Sequence, residues 1–339
     1  MASSATLLRK SVAWQACFHS ASAIPSCPDT LRSRGVPSYY SDWFYNRIKK
    51  GFVLTRNPMN FHQISKISLA PDVVDAIVFW TKNPIPMLER LNELKEFMYY
   101  FQFSLTPYGK DVEQSIPNKT SAIITAFKRL SDMIGSDRVI WRYDPILISK
   151  KYPLDYHAKA FSKIADTLQD YTKKVTISFI DEDYRGVKSN IKELELSNFP
   201  PSIQEELSSQ LADIAHSYGL SIDTCAEQID LQKYGIEHAR CIDDRLISQL
   251  LKCHLNVDKD KTQRLECGCV VSVDIGMYNT CKNGCRYCYA NYSQGAVDGN
   301  LAKHNALSPL ISGDVNDDDK INERDVKSNR DTQMRLFDS

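Results

Sequence analysis

The chain has 339 residues, 42% of them hydrophobic and 25% charged, with 42 basic side chains balanced by 42 acidic ones. That length can bury a full core in one large α/β domain or two ordinary ones, and no apolar run approaches the ~20 residues needed to span a bilayer. Zero formal charge removes the global field that would steer the protein onto nucleic acid or anionic membrane, so coating DNA is disfavoured and nucleic acid keeps only weak support as a partner.

Residues 1–28 carry Arg9 and Lys10, no acidic residue and many Ser and Ala. This is the composition of an organellar transit segment or of a disordered terminus. Residues 1–35 are therefore set apart as an atypical N-terminal segment. From about residue 50, β-rich runs alternate with amphipathic ones. Strands are expected at Phe52–Arg56, Val74–Trp80, Tyr99–Leu105, Arg138–Tyr143, Lys174–Phe179 and Leu220–Thr224. Helices are expected near 84–97, 119–134, 154–171 and 202–218. In the third of these, Phe161, Ile164, Ala165 and Leu168 recur at helical spacing. Gly135 and Gly219 fall where left-handed caps are expected. A further helix near Asp243–Leu251 leads through a charged loop to a seventh strand, Val270–Ile275.

Such alternation implies an α/β fold with a mostly parallel sheet, a (β/α) barrel or partial barrel over residues 36–311 that ends in a Cys-rich loop at 267–292. Residues 314–339 have few apolar anchors and read as a flexible tail. Polar residues collect where strands lead into helices: Thr55-Arg56-Asn57, Thr81-Lys82-Asn83, Ser104 and Thr106, Arg142-Tyr143-Asp144-Pro145, Ser178 and Asp181, and Thr224 to Glu227. In parallel α/β folds that edge is the ligand face. Loop and cap residues share this composition, so the pattern nominates candidates and assigns no role.

Eight of the ten cysteines follow residue 220, and five lie between Cys267 and Cys288. A secreted disulfide scaffold is usually shorter and spreads its cysteines, whereas a cluster at the end of a long chain reads as a metal site in a reducing compartment, most simply the cytoplasm. The segment Cys281-Lys-Asn-Gly-Cys285-Arg-Tyr-Cys288 has the spacing C-x₃-C-x₂-C. Three thiolates on a short loop can hold one corner of an iron–sulfur cube and leave one iron open, and Gly284 eases the turn between them. A zinc ribbon would instead pair two short knuckles around a closed site. Cys267 and Cys269 are additional candidate ligands, alone or with Cys253 or Cys241. The histidines show no metal-like spacing, and His62, His157 and His238 read as structural or surface residues.

In spacing and in the aromatic Tyr287, the loop resembles the radical S-adenosylmethionine superfamily. The resemblance implies a [4Fe–4S] cluster on Cys281, Cys285 and Cys288. It also implies S-adenosylmethionine on the open iron, and reductive cleavage of that cofactor to a radical that abstracts hydrogen from a substrate. Tyr287 matches the aromatic whose backbone approaches the adenine, and Glu227 is a second candidate for holding the cofactor. An electron donor such as a ferredoxin or flavodoxin is then required. In that superfamily the loop follows the first barrel strand; here it follows the last, as in a circularly permuted barrel.

Over residues 36–311 the chain also resembles an uncharacterised microbial domain-of-unknown-function family, family 1848. The resemblance rests on Tyr40-Ser-Asp-Trp-Phe44, Arg56-Asn-Pro-Met-Asn60, Phe79-Trp-Thr-Lys-Asn-Pro84, Trp141-Arg-Tyr-Asp-Pro145 and the Cys loop. Members open with a strand and Ser-Arg-Arg-Thr-Asp-Ile-Pro, where this chain reads Arg32-Ser-Arg-Gly-Val-Pro37. Candidate catalytic residues are Cys225, Glu227, Arg142 and Asp144, and candidate substrate ligands are Lys82, Arg142 and Asp144. The expected function is a radical S-adenosylmethionine enzyme acting on an unidentified substrate, with Cys288-Tyr289-Ala290 weakly similar to the photoproduct-lyase group. The alternatives are a non-catalytic, metal-stabilised barrel that binds a small anion, and a hydrolase or isomerase using Arg142, Asp144 and Glu227.

Overall fold

The computed structural model describes residues 30–331 apart from 184, 325 and 326, so the transit-like residues 1–28 lie outside the described residues. The strands in chain order are β1 (Thr30–Arg34), β2 (Phe52–Arg56), β3 (Gln63–Ser68), β4 (Ala76–Thr81), β5 (Tyr99–Ser104), β6 (Val139–Ile146), β7 (Lys174–Phe179), β8 (Ser221–Thr224), β9 (Glu237–His238), β10 (Val273–Asp274) and β11 (Lys320–Glu323). Eight of them form one sheet in the order β10-β1-β4-β5-β6-β7-β8-β9, every pair parallel. The chain is thus an α/β protein built on a parallel sheet. Among the described residues no ladder joins the edge strands β9 and β10.

Strand alternation sorts the side chains onto two faces. Ile77 and Phe79, Tyr99, Phe101 and Phe103, Val139, Trp141 and Tyr143, and Val175 and Ile177 belong to the main core beneath the helices. There Trp141 stacks on Phe161 of a helix at Leu154–Leu168, ring centroids 4.8 Å apart. The intervening residues Ala76, Val78, Tyr100 and Ile140 pack a separate cluster on the inner face with Ala239, Cys241, Ile242, Cys267, Cys269 and Val270. The chain between β9 and β10 therefore covers that face. Because Arg142 and Asp144 are in register with Ile140, β6 sends its charges inward and its aromatics outward.

Four expectations are corrected. The strand beside β4 is β1, inside the segment set apart as 1–35, because its parallel ladder to β4 (Thr30↔Ala76 to Arg34↔Trp80) depends on a partner distant in sequence. Phe52–Arg56 is a strand but lies outside the main sheet. It pairs antiparallel with β3 in a three-stranded sheet, and Arg56 is held by Asp319 (Nη1–Oδ1 2.6 Å, Nη2–Oδ2 2.8 Å) rather than at the ligand face. The stretch 84–97 splits into a short helix, Ile85–Leu88, and a 3₁₀ turn, Leu91–Leu94, with Leu88, Leu91, Leu94 and Phe97 buried at the spacing of three that a 3₁₀ turn favours. Part of the expected tail is docked. β11 pairs with β3, while buried Asp75 accepts from Ser328 Oγ (2.6 Å), Asn329 N (3.0 Å) and Asn329 Nδ2 (2.9 Å). Polar contacts hold this segment, so an apolar pattern could not reveal it.

Helices at Ile124–Ile134 and Pro201–Ser217 agree with expectation, as does Asp244–Leu251, which Asp243 caps at 3.0 Å from Arg245 N. Gly219 adopts the left-handed conformation (φ 69°), whereas Gly135, at φ 94° and ψ 146°, ends its helix in an extended mirror-image geometry only glycine tolerates. His157 is structural: it is buried between Tyr143 Oη (2.8 Å from Nδ1) and the Leu147 carbonyl (2.9 Å from Nε2), and burial lowers its pKa to about 4. Among the described residues no helix is long and apolar enough to cross a membrane.

Candidate metal centre at the C-terminal edge of the sheet

β10 lies beside β1 (Leu31↔Val273, Arg32↔Asp274), and the cysteine loop leaves it directly. The loop is tied down on every side. Asn279, at φ 55°, donates its N–H to the Ala290 carbonyl (2.9 Å), and Asn291 Nδ2 donates to the Cys281 carbonyl (2.7 Å). Tyr40 Oη donates to the Thr280 carbonyl and Tyr39 Oη to Asn283 Oδ1, each at 2.6 Å. The Arg286 N–H reaches the Val112 carbonyl (2.9 Å) and the Ser115 N–H the Asn283 carbonyl (3.0 Å), fixing the loop to the segment after β5. Gly284 makes the turn at φ +62°. Gly35, at the end of β1, lies so close that a Cβ there would sit 3.7 Å from Cys281 Cβ.

Beneath the loop is a buried charged cluster that sequence reasoning missed. Glu113 is 1% exposed and is approached by Lys82 Nζ at 2.9 Å, by Thr106 Oγ1 at 2.9 Å, and by Lys119 and the Tyr287 hydroxyl. Lys82 Nζ also stands 5.4 Å from the Tyr287 ring centroid. Lys119 opens a π-helical turn, Lys119–Ile123, and donates to the Thr106 (2.8 Å) and Tyr108 (2.6 Å) carbonyls. Burial opposes the charge on Glu113, but Lys82 and Lys119 outweigh it and lower its pKa to about 2. Burial likewise opposes the charge on Lys82, which Glu113 and then Cys285 restore, raising its pKa. Nothing in the loop sequence around Glu113 separates it from a surface carboxylate.

The three cysteines interact with one another and with this cluster. Burial, then Cys288, raises the Cys281 thiol to about 12, and Cys285 is raised by burial and Glu113 and lowered by Lys82. The loop thus places three thiols within electrostatic reach of one another and of a fixed positive charge. Their sulfurs do not all lie within 4.8 Å of one another; among the described residues only His62, Asp318 and Asp319 form such a group. A single tetrahedral zinc ion, with Zn–S of ~2.3 Å, needs sulfurs about 3.8 Å apart. The three thiols are therefore not set for a single tetrahedral zinc ion.

The other candidates lie at the same edge of the sheet or just inside it. Arg142 pairs with Asp144 (Nε–Oδ2 2.9 Å) and donates through Nη1 to Gln102 Oε1 (3.3 Å) and Cys241 Sγ (2.8 Å). Asp144 interacts electrostatically with Lys82 on one side and Glu227 on the other, linking the loop to the end of β8. Glu227 accepts from the Phe179 N–H (2.8 Å), and Cys225 Sγ stands 3.3 Å from Cys241 Sγ. Tyr287 spends its hydroxyl on Glu113, so its side chain anchors the loop. Cys267 and Cys269 are buried on the inner face. Cys253 is a half-buried free thiol.

Glu227 carries a testable pH dependence. Burial raises its carboxyl to about 7, from an ordinary 4.5. The folded chain therefore keeps a proton that the unfolded chain releases, and stability falls as pH rises through that window. Glu227→Gln, which cannot ionise, is expected to be more stable than wild type by up to about 3 kcal/mol at about pH 8 and to match it below about pH 4. A melting-temperature difference that stays constant with pH would contradict this.

A family model described as a domain of unknown function, DUF1848, matches residues 30–290. No protein of curated function matches the sequence. Solved structures with some likeness include the pneumococcal exo-β-D-N-acetylglucosaminidase StrH (11% identity, 59% of this chain and 54% of that one, TM-score 0.28). Others are the carboxyl transferase domain of Rhizobium etli pyruvate carboxylase (12%, 83% and 44%, 0.29) and a putative α-L-fucosidase from Bacteroides thetaiotaomicron (11%, 79% and 95%, 0.26). The aligned part spans about half the length of the first two.

Proposed function

The chain belongs to the DUF1848 family, whose description assigns no reaction, and from its candidate site we propose that it is a radical S-adenosylmethionine enzyme. The cluster would be held by Cys281, Cys285 and Cys288. What supports the reading is the three-thiol loop, whose cysteines interact electrostatically with one another and, at Cys285, with Lys82, where the chain leaves a strand at the edge of a parallel sheet. The order β10-β1-β4 supports a permuted partial barrel, because the loop follows the strand that stands first in space although it comes late in sequence. When bound, such a cluster supplies an electron to cleave S-adenosylmethionine and so opens hydrogen-abstraction chemistry.

The chain's own residues do the rest. Lys82 offsets the negative charge of deprotonated thiols, and Glu113 keeps Lys82 charged and in place. Tyr287 and the backbone bonds anchor the loop that carries the three sulfurs. Glu227 and the Arg142–Asp144 pair offer a proton-bearing carboxyl and a fixed dipole toward the cofactor's polar groups or an anionic substrate. A low-potential carrier such as a ferredoxin or flavodoxin would deliver the electron.

The test is anaerobic reconstitution with iron and sulfide, followed by dithionite and S-adenosylmethionine. The expected product is 5′-deoxyadenosine, formed only with both additions. Tightly bound zinc at the loop, colourless and with no cofactor cleavage, would overturn the reading in favour of a non-catalytic, metal-stabilised protein.

A further inference from the structure

Four cysteines outside the loop meet on the inner face of the sheet. Cys225 follows β8, Cys241 lies just beyond β9, and Cys267 and Cys269 flank Gly268 after the helix at Asp244–Leu251. Cys225 Sγ is 3.3 Å from Cys241 Sγ, and Cys241, Cys267 and Cys269 are buried in one cluster against which Cys225 packs. Hydrogen bonds lace these segments together: Gly268 N–H donates to the Ala239 carbonyl (3.2 Å), Val270 N–H to the Ile242 carbonyl (3.2 Å), and Ile242 N–H to the side-chain sulfur of Cys269 (3.4 Å). A Cβ on residue 268 would lie 2.7 Å from Arg240 Cγ and 3.2 Å from the Ala239 carbonyl oxygen, so glycine lets the Cys-x-Cys turn lie against the Cys241 segment.

Buried cysteines often serve as small apolar residues. That role accounts neither for four sulfurs gathered from three segments nor for what stands beside them. Arg142 is buried, and its Nη1 is 2.8 Å from Cys241 Sγ. A guanidinium is always charged, so this contact places a permanent buried cation against the sulfur group. Thiolate sets bind soft metals and iron–sulfur clusters. No three of the four sulfurs lie within 4.8 Å of one another, so they are not set for a single tetrahedral ion. A cavity of about 510 Å³, whose lining includes His238, Arg240, Lys259, Cys267 and Gly268, reaches the group at Cys267.

We propose that Cys225, Cys241, Cys267 and Cys269 form a second metal centre, a four-cysteine site for an iron–sulfur cluster that shares no ligand with the Cys281 loop. This stands whether or not the loop binds a cluster. The test uses the full-length chain carrying Cys281→Ala, Cys285→Ala and Cys288→Ala, purified anaerobically and reconstituted with iron and sulfide. About two to four irons per chain, matching sulfide, and visible absorption are expected to remain. They should be lost on adding Cys241→Ser and Cys269→Ser, with the far-ultraviolet dichroism unchanged. Should those serines unfold the chain, thiol alkylation read by mass spectrometry on the triple-alanine protein gives the same answer, with these four cysteines protected only after reconstitution. No retained metal, one zinc in place of iron and sulfide, equal alkylation before and after, or a Cys225–Cys241 disulfide in the anaerobically purified protein each overturns it.

Discussion

Cys285→Ala is expected to lower the iron content of the reconstituted protein by about four per chain and to abolish formation of 5′-deoxyadenosine. Cys285 is the middle thiol of the three. It interacts with both other cysteines and with Lys82, and Glu113 pairs with it across an isolated antiparallel bridge. Two remaining thiolates cannot hold a cube and keep one iron corner open. The same change is expected to leave the packing of the sheet intact, because the apolar packing of Cys285 is with a small satellite cluster around Tyr108, Leu147 and Tyr152 and not with the main core. Its melting temperature without metal should therefore stay within a few degrees of wild type. Cofactor cleavage at an appreciable rate in this variant would end the radical-enzyme proposal. A large loss of apo stability would show that the residue's role is in packing.

Glu113→Ala should destabilise the fold by about 3–5 kcal/mol, measured as a shift in the urea midpoint at constant slope. It strips the partner from two ammonium groups, Lys82 and Lys119, and from the Tyr287 hydroxyl, all inside the protein. The cost comes from leaving those charges uncompensated, since the intact pair repays only part of its own desolvation. Glu113→Gln keeps the shape and some hydrogen bonds and should lose less. The acid side gives an independent check. A carboxyl held at about 2 in the folded chain and near 4.5 when unfolded contributes its full stabilisation above about pH 4.5 and loses it as the pH falls toward 2. The Glu113→Gln protein should therefore lose less stability than wild type across that range. A change below about 1 kcal/mol for the alanine variant would mean that water reaches the cluster.

The two variants also separate the roles of neighbouring groups. If Glu113 only supports the loop, its glutamine variant should still bind iron, with a shifted cluster spectrum, whereas Cys285→Ala should not. Lys82 lies between them, so weakening its carboxylate partner alters the charge felt by the thiols.

Local patterns in the chain were sufficient for whatever local chemistry dictates. Alternating apolar runs identified β4 to β8, and helical spacing identified three of the long helices. The spacing of Cys281, Cys285 and Cys288 marked a three-thiol loop, because eight consecutive residues contain the whole motif. Trp141-Arg-Tyr-Asp-Pro145 displayed the inward charges of β6 as a period-two pattern. What tertiary structure decided lies between distant segments. β1 becomes a central strand only through its ladders to β4 and β10, and Phe52–Arg56 is diverted to another sheet by the hairpin with β3. Glu113 becomes buried because two lysines and a tyrosine reach it across up to 174 residues. Cys225, Cys241 and Cys269 meet only once the segment after β9 folds back over the inner face. Covalent spacing specifies which residues share a turn, whereas desolvation and long-range pairing, which no local window contains, specify which charges and thiols share a site.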